Sequence, residues 1–270
     1  MKEEILINVT QREVRAAVLD NGVLQELLVE RVANSGPLGN IYKGRVSRVL
    51  PGMQAAFVNI GLQRTAFLHA SDIQGPNGTT TDDDGGQQRQ TDVRRLLHEG
   101  DELLVQVVKE PLGDKGARLS TAITIPSRYL VLTPHRPGIG VSARIEDEAE
   151  RERLRSALET LVPDAAHGFI VRTAAEGMAV EVLQADVEFL VKLWSAIQAA
   201  GQSARGGELV HADLQLAVRV IRDLTSRQIE RVRVDSKECQ ASLQAFARDF
   251  MPEFAPVIEL YEGRRPIFDL

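Results

Sequence analysis

Residues 39–73 read GNIYKGRVSRVLPGMQAAFVNIGLQRTAFLHASDI, and this stretch decides how the chain is organised. In Ala55–Ile60, alternation puts Ala56, Val58 and Ile60 on one face and leaves Phe57 and Asn59 on the other. In Thr65–His69, Ala66 and Leu68 share a face opposite Thr65, Phe67 and His69. Between Glu30 and Asp72 there is no acidic residue, whereas Arg31, Lys43, Arg45, Arg48 and Arg64 fall there, in a chain of formal net charge −6. Aromatic rings on short strands beside cations suit single-stranded nucleic acid, whose bases stack on rings while its phosphates meet the cations. The plain alternative is that each phenylalanine packs into a second core or an interface. Beside so basic a tract, the stacking reading of Phe57 and Phe67 is preferred. Lys109, at a strand end, and Lys115, at a hairpin tip, would then meet phosphates; taken alone, either lysine is simply solvated.

Working outward, five strands are expected between Asn40 and Ile125: Lys43–Val49, Ala55–Ile60, Thr65–His69, Glu102–Lys109 and Arg118–Ile123. Gly113–Gly116 makes the hairpin tip between the last two. Five short strands with such turns predict a small closed barrel of the oligonucleotide-binding (OB) kind. The segment 74–92, QGPNGTTTDDDGGQQRQTD, is polar, glycine-rich and aperiodic, and reads as a mobile surface loop. Ahead of the barrel, EILINVT, EVRAAVLD and VLQELLVER predict a three-stranded antiparallel meander, with Asp20-Asn21-Gly22 turning tightly between the second and third strands.

After Pro126 the pattern becomes α/β. Leu154, Ala157, Leu158 and Leu161 form one stripe of a helix over Glu146–Leu161. GFIVRTA (168–174) is a strand. Leu183, Val187, Leu190, Val191, Trp194 and Ile197 mark a second helix, in which Trp194 reads as core rather than as a ligand platform. Gly201–Gly207 reads as a loop. The tail then gives helix (Asp213–Leu224), strand (Ile229–Val234), helix (Lys237–Phe250) and strand (Val257–Tyr261). No internal repeat is evident.

Composition bounds the function. With 43% apolar and 26% charged residues, the chain is of ordinary globular type. A pI of about 5.5 confines any nucleic-acid contact to a patch. The single cysteine, Cys239, excludes an intrachain disulfide or a cysteine-rich zinc site and reads as a small buried apolar residue. With no apolar run long enough to span a bilayer and no signal peptide, a cytoplasmic location is expected.

Arg172-Thr173 closes the GFIVRTA strand. An arginine fork and a hydroxyl there, beside small residues, can hold a terminal phosphate through charge-assisted bonds. Arg136 and Arg144, in or near the glycine-containing loop PHRPGIGVSARI, add positive charge or merely solubility. Signatures of catalysis are missing: no phosphate-binding glycine loop, no metal-spaced His/Cys cluster, no nucleophile elbow. Asp82-Asp83-Asp84 lies in the expected loop, and Asp20 and Asp235 have no evident acidic partner, so neither catalytic nor metal-binding residues are assigned.

NIYKGRVSRVLPGMQAAFVNIGLQRTAFLHASDI, KEPLGDKGARLSTAIT, PSRYLV and GFIVRTAAEG, in this order and spacing, resemble the N-terminal half of the bacterial ribonuclease E/G family. LPGMQAAFV, PSRYLV, RTAAEG and GRRPIFDL are nearer to its G-type members. The resemblance implies an α+β, multidomain fold: an RNase H-like subdomain (1–37 and 213–270), an inserted S1-type OB-fold β-barrel (38–125), and a 5′-sensor α/β region (126–212). It implies that Phe57, Phe67 and Lys115 contact RNA, and that Arg172 and Thr173 hold a 5′-monophosphate with a backbone contact from Val131. It further implies that magnesium-binding aspartates, a zinc link and dimerisation elements lie beyond the equivalent of Leu270. The expected partner is therefore single-stranded RNA with a 5′-monophosphate, bound without cleavage by this chain alone, with homo-oligomers expected of the intact protein. A stand-alone OB-fold RNA binder and a structural adaptor docking a protein on the aromatic face remain the competing readings.

Overall fold

The computed structural model describes residues 3–31, 36–74, 92–111, 115–162, 167–213, 216–224 and 229–269. The chain forms two compact units, one of residues 1–36 and 214–270, the other of residues 37–213.

The first unit begins with the expected meander: β1 (Glu3–Val9), β2 (Glu13–Asp20) and β3 (Val23–Arg31), all antiparallel neighbours. The β2–β3 connection is two residues, Asn21 and Gly22, with φ of 49° and 81°. Two successive positive φ values match the twist of a hairpin, which is why Asn-Gly stands here.

The second unit opens with the barrel. Its strands are β4 (Ile41–Leu50), β5 (Ala55–Asn59), β6 (Ala66–His69), β7 (Glu102–Lys109) and β8 (Arg118–Ser120), with the one-turn helix α1 (Val93–Leu96) before β7. β4 pairs with β5 through its second half and with β7 through its first, which closes the five strands on themselves. Val46, Ala56, Val58, Ile60, Ala66, Leu68, Val105, Val107 and Leu119 fill the interior, each at most 2% exposed. This is the small-aliphatic face that alternation assigned to the core. The last strand stops at Ser120, three residues short of the expected Ile123, because the chain turns at Thr121 to bond the Asp72 carbonyl. The expected loop at 74–92 lies outside the described residues except at its ends, Gln74 and Asp92, and Gly113 and Asp114 of the hairpin tip also lie outside them.

Next comes a four-stranded sheet of β9 (Ile125–Pro126), β10 (Leu130–Thr133), β11 (Gly138–Val141) and β12 (Gly168–Val171), in the order β11-β12-β10-β9. Two helices belong to this part, α2 (Glu148–Leu161) and α3 (Val180–Ser203). β11 corrects the sequence reading: the stretch taken as a glycine-containing loop pairs in parallel with β12, its glycines opposite Gly168 and Ile170. α3 buries Leu183, Val187, Leu190, Trp194 and Ile197 along one stripe. It also corrects the expected loop at Gly201–Gly207, since Gly201 is still helical and buried and the helix ends at Ser203. A strand not expected from sequence, β13 (Leu209–His211), then pairs with the start of β4.

Gly168 is fixed by crowding. A Cβ there would lie 1.9 Å from the Arg136 carbonyl oxygen and 2.6 Å from the Thr133 hydroxyl. Gly168→Ala is expected to destabilise the fold by about 1–3 kcal/mol through overpacking, read as a lowered denaturation midpoint. A wild-type midpoint would show that the β10–β12 end can relax.

The first unit is completed by α4 (Leu216–Leu224), β14 (Ile229–Val234), α5 (Lys237–Phe250) and β15 (Ile258–Leu260). β14 and β15 add in parallel, giving the order β15-β14-β1-β2-β3. α4 and α5 cover one face, burying Ile5, Ile7, Val232, Val234, Ile221 and Leu243. On the opposite face Ile267 packs on Leu6 and Ala17. Ser236 caps α5, its hydroxyl accepting from the Cys239 amide at 3.3 Å. Cys239 is half-buried, and burial pushes its thiol up to about 11, so it stays a protonated packing residue. Asp20 accepts a hydrogen bond from Asn21 at 2.7 Å and Asp235 accepts one from the Val9 amide at 2.8 Å, both ordinary structural partners. Asp82-Asp83-Asp84 lies outside the described residues. Among the described residues, no helix is long and apolar enough to cross a membrane.

Candidate functional site

On the outside of the barrel, adjacent strands place residues in a single transverse row. Arg48 stands opposite Phe57, Phe57 opposite Phe67, Phe67 opposite Arg118, and Arg118 opposite Lys109. The two phenylalanines are half-buried. Their centroids are 6.4 Å apart and their planes 67° from parallel, an edge-to-face pair. His69 extends the aromatic strip, 6.4 Å from Phe67 with planes only 31° apart. The His69 Nδ1 accepts the Ser71 amide at 3.2 Å, which fixes how the ring is presented. Rings supported from below by a packed barrel, edged by cations and open above, can receive stacked bases. Sequence parity found the phenylalanines; it did not find Arg118, whose place in the row depends on the parallel β6–β8 pairing.

The cations differ in exposure. Arg45, Arg48, Arg64 and Lys109 are exposed, as is Lys115 next to the hairpin tip. Lys43 is tied back, its ammonium donating to the Gly201 carbonyl at 3.2 Å. Arg31 belongs to the other compact unit. Arg118 donates to Asp72 at 2.8 Å, and this pairing holds its guanidinium above its ordinary pKa. Arg45 stands opposite Glu102, and Glu99 reaches the Val49 amide at 3.5 Å. The acid-free tract is thus a property of the chain and not of the folded surface, because pairing returns carboxylates from distant positions. The phosphate-facing charge is correspondingly moderate.

The second cluster lies at the end of β12. Arg172 is exposed, and its Nη1 donates to the carbonyls of Ser127 and, at 3.4 Å, Arg128. Its backbone N–H donates to the Tyr129 carbonyl at 2.8 Å. Among the described residues Nε and Nη2 make no hydrogen bond, so half the fork is available for an anion. Thr173 follows, exposed, at the start of a short 3₁₀ turn over Thr173–Ala175. Val131 is half-buried in β10, opposite Ile170 and one position beyond the Leu130–Val171 pair that leads to Arg172. The structure therefore brings Arg172, Thr173 and Val131 to one sheet. Arg136 and Arg144 are exposed near β11, and Arg136 joins Thr133, Gly138, Phe169 and Ile170 in lining a cleft of about 460 Å³ on this sheet.

α2 braces the 3₁₀ turn. The Glu150 carboxylate accepts from Arg153 at 2.6 Å and from the Gly177 amide at 2.8 Å, while Arg153 donates to the Met178 carbonyl at 2.9 Å. The Arg153 guanidinium, followed by the Gly177 amide, holds the Glu150 carboxyl well below its ordinary 4.5, at about 2. A carboxyl lowered in the folded state stabilises above its ordinary value and loses that contribution as pH falls toward about 2. The melting-temperature gap between wild type and Glu150→Gln should therefore be full at neutral pH and shrink from about pH 4.5 downward. A constant gap would sink the assignment.

Comparison with known proteins gives two domain-level matches. Residues 37–122 match the S1 RNA binding domain, and residues 124–270 match the ribonuclease E/G family. Ribonuclease G of Salmonella typhimurium (strain SL1344) is 48% identical over all 270 residues, and that of Escherichia coli (strain K12) 47%. Ribonuclease E of Escherichia coli (strain K12) is 37% identical over 269 residues, covering 98% of this chain and 25% of that protein. The chain spans 55% of the length of the two ribonuclease G relatives.

Proposed function

The chain belongs to the ribonuclease E/G family, and from that premise we propose that it grips RNA and senses the 5′ end for a single-strand-specific endoribonuclease. The single observation that carries the reading is the transverse row Arg48–Phe57–Phe67–Arg118–Lys109 on a barrel whose residues match an S1 domain. Bases stack on the two phenylalanines while Arg48, Lys109 and Lys115 meet phosphates. The free half of the Arg172 fork and the Thr173 hydroxyl take the 5′-monophosphate, with the Val131 backbone beside them. The first unit serves as an RNase H-like scaffold without a catalytic role. The associated activity is phosphodiester hydrolysis in RNA processing and decay, with rRNA maturation the proposed setting, in a homo-oligomeric enzyme.

Among the described residues no group of three or more His, Cys, Asp or Glu side chains could hold a metal ion. The magnesium and zinc proposed for the enzyme are therefore given no ligand here, and no catalytic step is assigned to these residues.

Titration with one labelled single strand carrying a 5′-monophosphate, a 5′-triphosphate or a 5′-hydroxyl tests the reading. Tightest binding of the monophosphate form, weakening with salt, is expected. Equal binding of all three would remove end sensing and leave the stand-alone binder; no binding would remove both.

A further inference from the structure

Asp186 lies on α3, 14 residues from Arg172 in sequence, and is half-buried. Its Oδ2 accepts from the hydroxyl of Ser127 and from the backbone N–H groups of Tyr129, at 3.2 Å, and Leu130, at 3.0 Å. Ser127 itself is 0% exposed. The carboxylate thus gathers the donors of the turn joining β9 to β10 on one side. A turn whose N–H groups are collected on one side offers its carbonyls on the other, and the carbonyls of Ser127, Arg128 and Tyr129 are the acceptors Arg172 uses.

We propose that Asp186 is the positioning residue of the Arg172 fork: by clamping the 127–130 turn it sets the carbonyls that hold Nη1, and so aims the free edge of the guanidinium. The inference rests on the reading of Arg172 as a 5′-phosphate ligand only for its functional consequence. The geometric part stands by itself. Without the carboxylate, the Tyr129 N–H loses its acceptor, while the Ser127 hydroxyl and the Leu130 N–H keep only the bonds they make within the turn; the turn relaxes, and the fork rotates among conformers that do not face the anion.

The test uses the full 270-residue chain, with Asp186→Ala and, as a volume-conserving check on folding, Asp186→Asn. The first readout is independent of RNA: ¹⁵N resonances of the Arg172 side chain. Separate, slowly exchanging Nη1 and Nη2 signals are expected in the wild type, and their collapse in Asp186→Ala supports positioning. An unchanged wild-type pattern in both variants overturns it. The second readout is the ratio of affinities for 5′-monophosphate and 5′-hydroxyl RNA. Asp186→Ala should cut that ratio about tenfold, as expected for losing aligned charge-assisted bonds, while affinity for 5′-hydroxyl RNA stays within about twofold. In an Asp186→Ala, Arg172→Ala double variant the ratio should fall no further than in Arg172→Ala; additive losses overturn the proposal. A wild-type ratio of one would reject the sensing reading, and the side-chain resonances would still decide whether Asp186 positions Arg172.

Discussion

Arg172→Ala is expected to erase the preference for a 5′-monophosphate, weakening binding of that RNA roughly 10- to 100-fold, in line with the 1.5–3 kcal/mol carried by hydrogen bonds to charged groups. Binding of the 5′-hydroxyl form should be untouched, because on the proposed reading that RNA would engage only the barrel. The loss in Arg172→Lys should be nearly as large. Lysine restores the charge but not the planar fork, and it cannot donate to the Ser127 and Arg128 carbonyls while offering two parallel donors outward. Fluorescence anisotropy with the two RNAs measures both quantities. Equal weakening of both RNAs would mean that Arg172 supports the fold of its sheet and does not read the end.

The second large effect is on the barrel. Each stacked base is worth about 1–3 kcal/mol, so Phe57→Ala with Phe67→Ala should lower affinity by two orders of magnitude or more, whatever the 5′ end. The rings sit over, not within, the core of Val58, Ala66 and Leu68, so the fold should survive. The lost edge-to-face pair costs only about 0.5–1.5 kcal/mol. A circular-dichroism melt close to wild type together with collapsed RNA binding is the expected pattern. Wild-type affinity in the double variant would return the rings to plain packing and remove the stacking surface.

Much of the barrel was legible because its strands have one wet and one dry face. Parity alone separated Ala56, Val58 and Leu68 from Phe57 and Phe67, and the folded chain keeps that separation. The meander was legible for the same reason, helped by Asn21-Gly22, which readily takes the two positive φ values of a tight hairpin turn. Short pieces were not. β11 is four residues, two of them glycine, and it exists because β12 offers it an edge rather than through propensity of its own. Gly201 signals a break, yet it stays helical because Leu104 packs against it, 2.9 Å from where a Cβ would sit. That Asp72 holds Arg118 and that Glu102 stands across from Arg45 could not be foreseen from a local count of charges, since both arrive through strand pairing. Asp186 was invisible for a similar reason: a lone aspartate on an amphipathic helix signals nothing until the turn 56 to 59 residues away is brought beneath it.

α3 has one more consequence. Near one end it carries the carboxylate that bonds the turn holding Arg172; at the other its terminal carbonyl at Gly201 receives the Lys43 ammonium from the barrel, a favourable place for a cation. Fifteen residues of helix separate the two, about 22 Å at 1.5 Å per residue. A helix does not stretch, so it works as a caliper between two jaws. If the fork captures a 5′ end and the barrel grips the strand, as proposed, slack between the two must come from the RNA, and strands too short to bridge the gap would be sorted out by size.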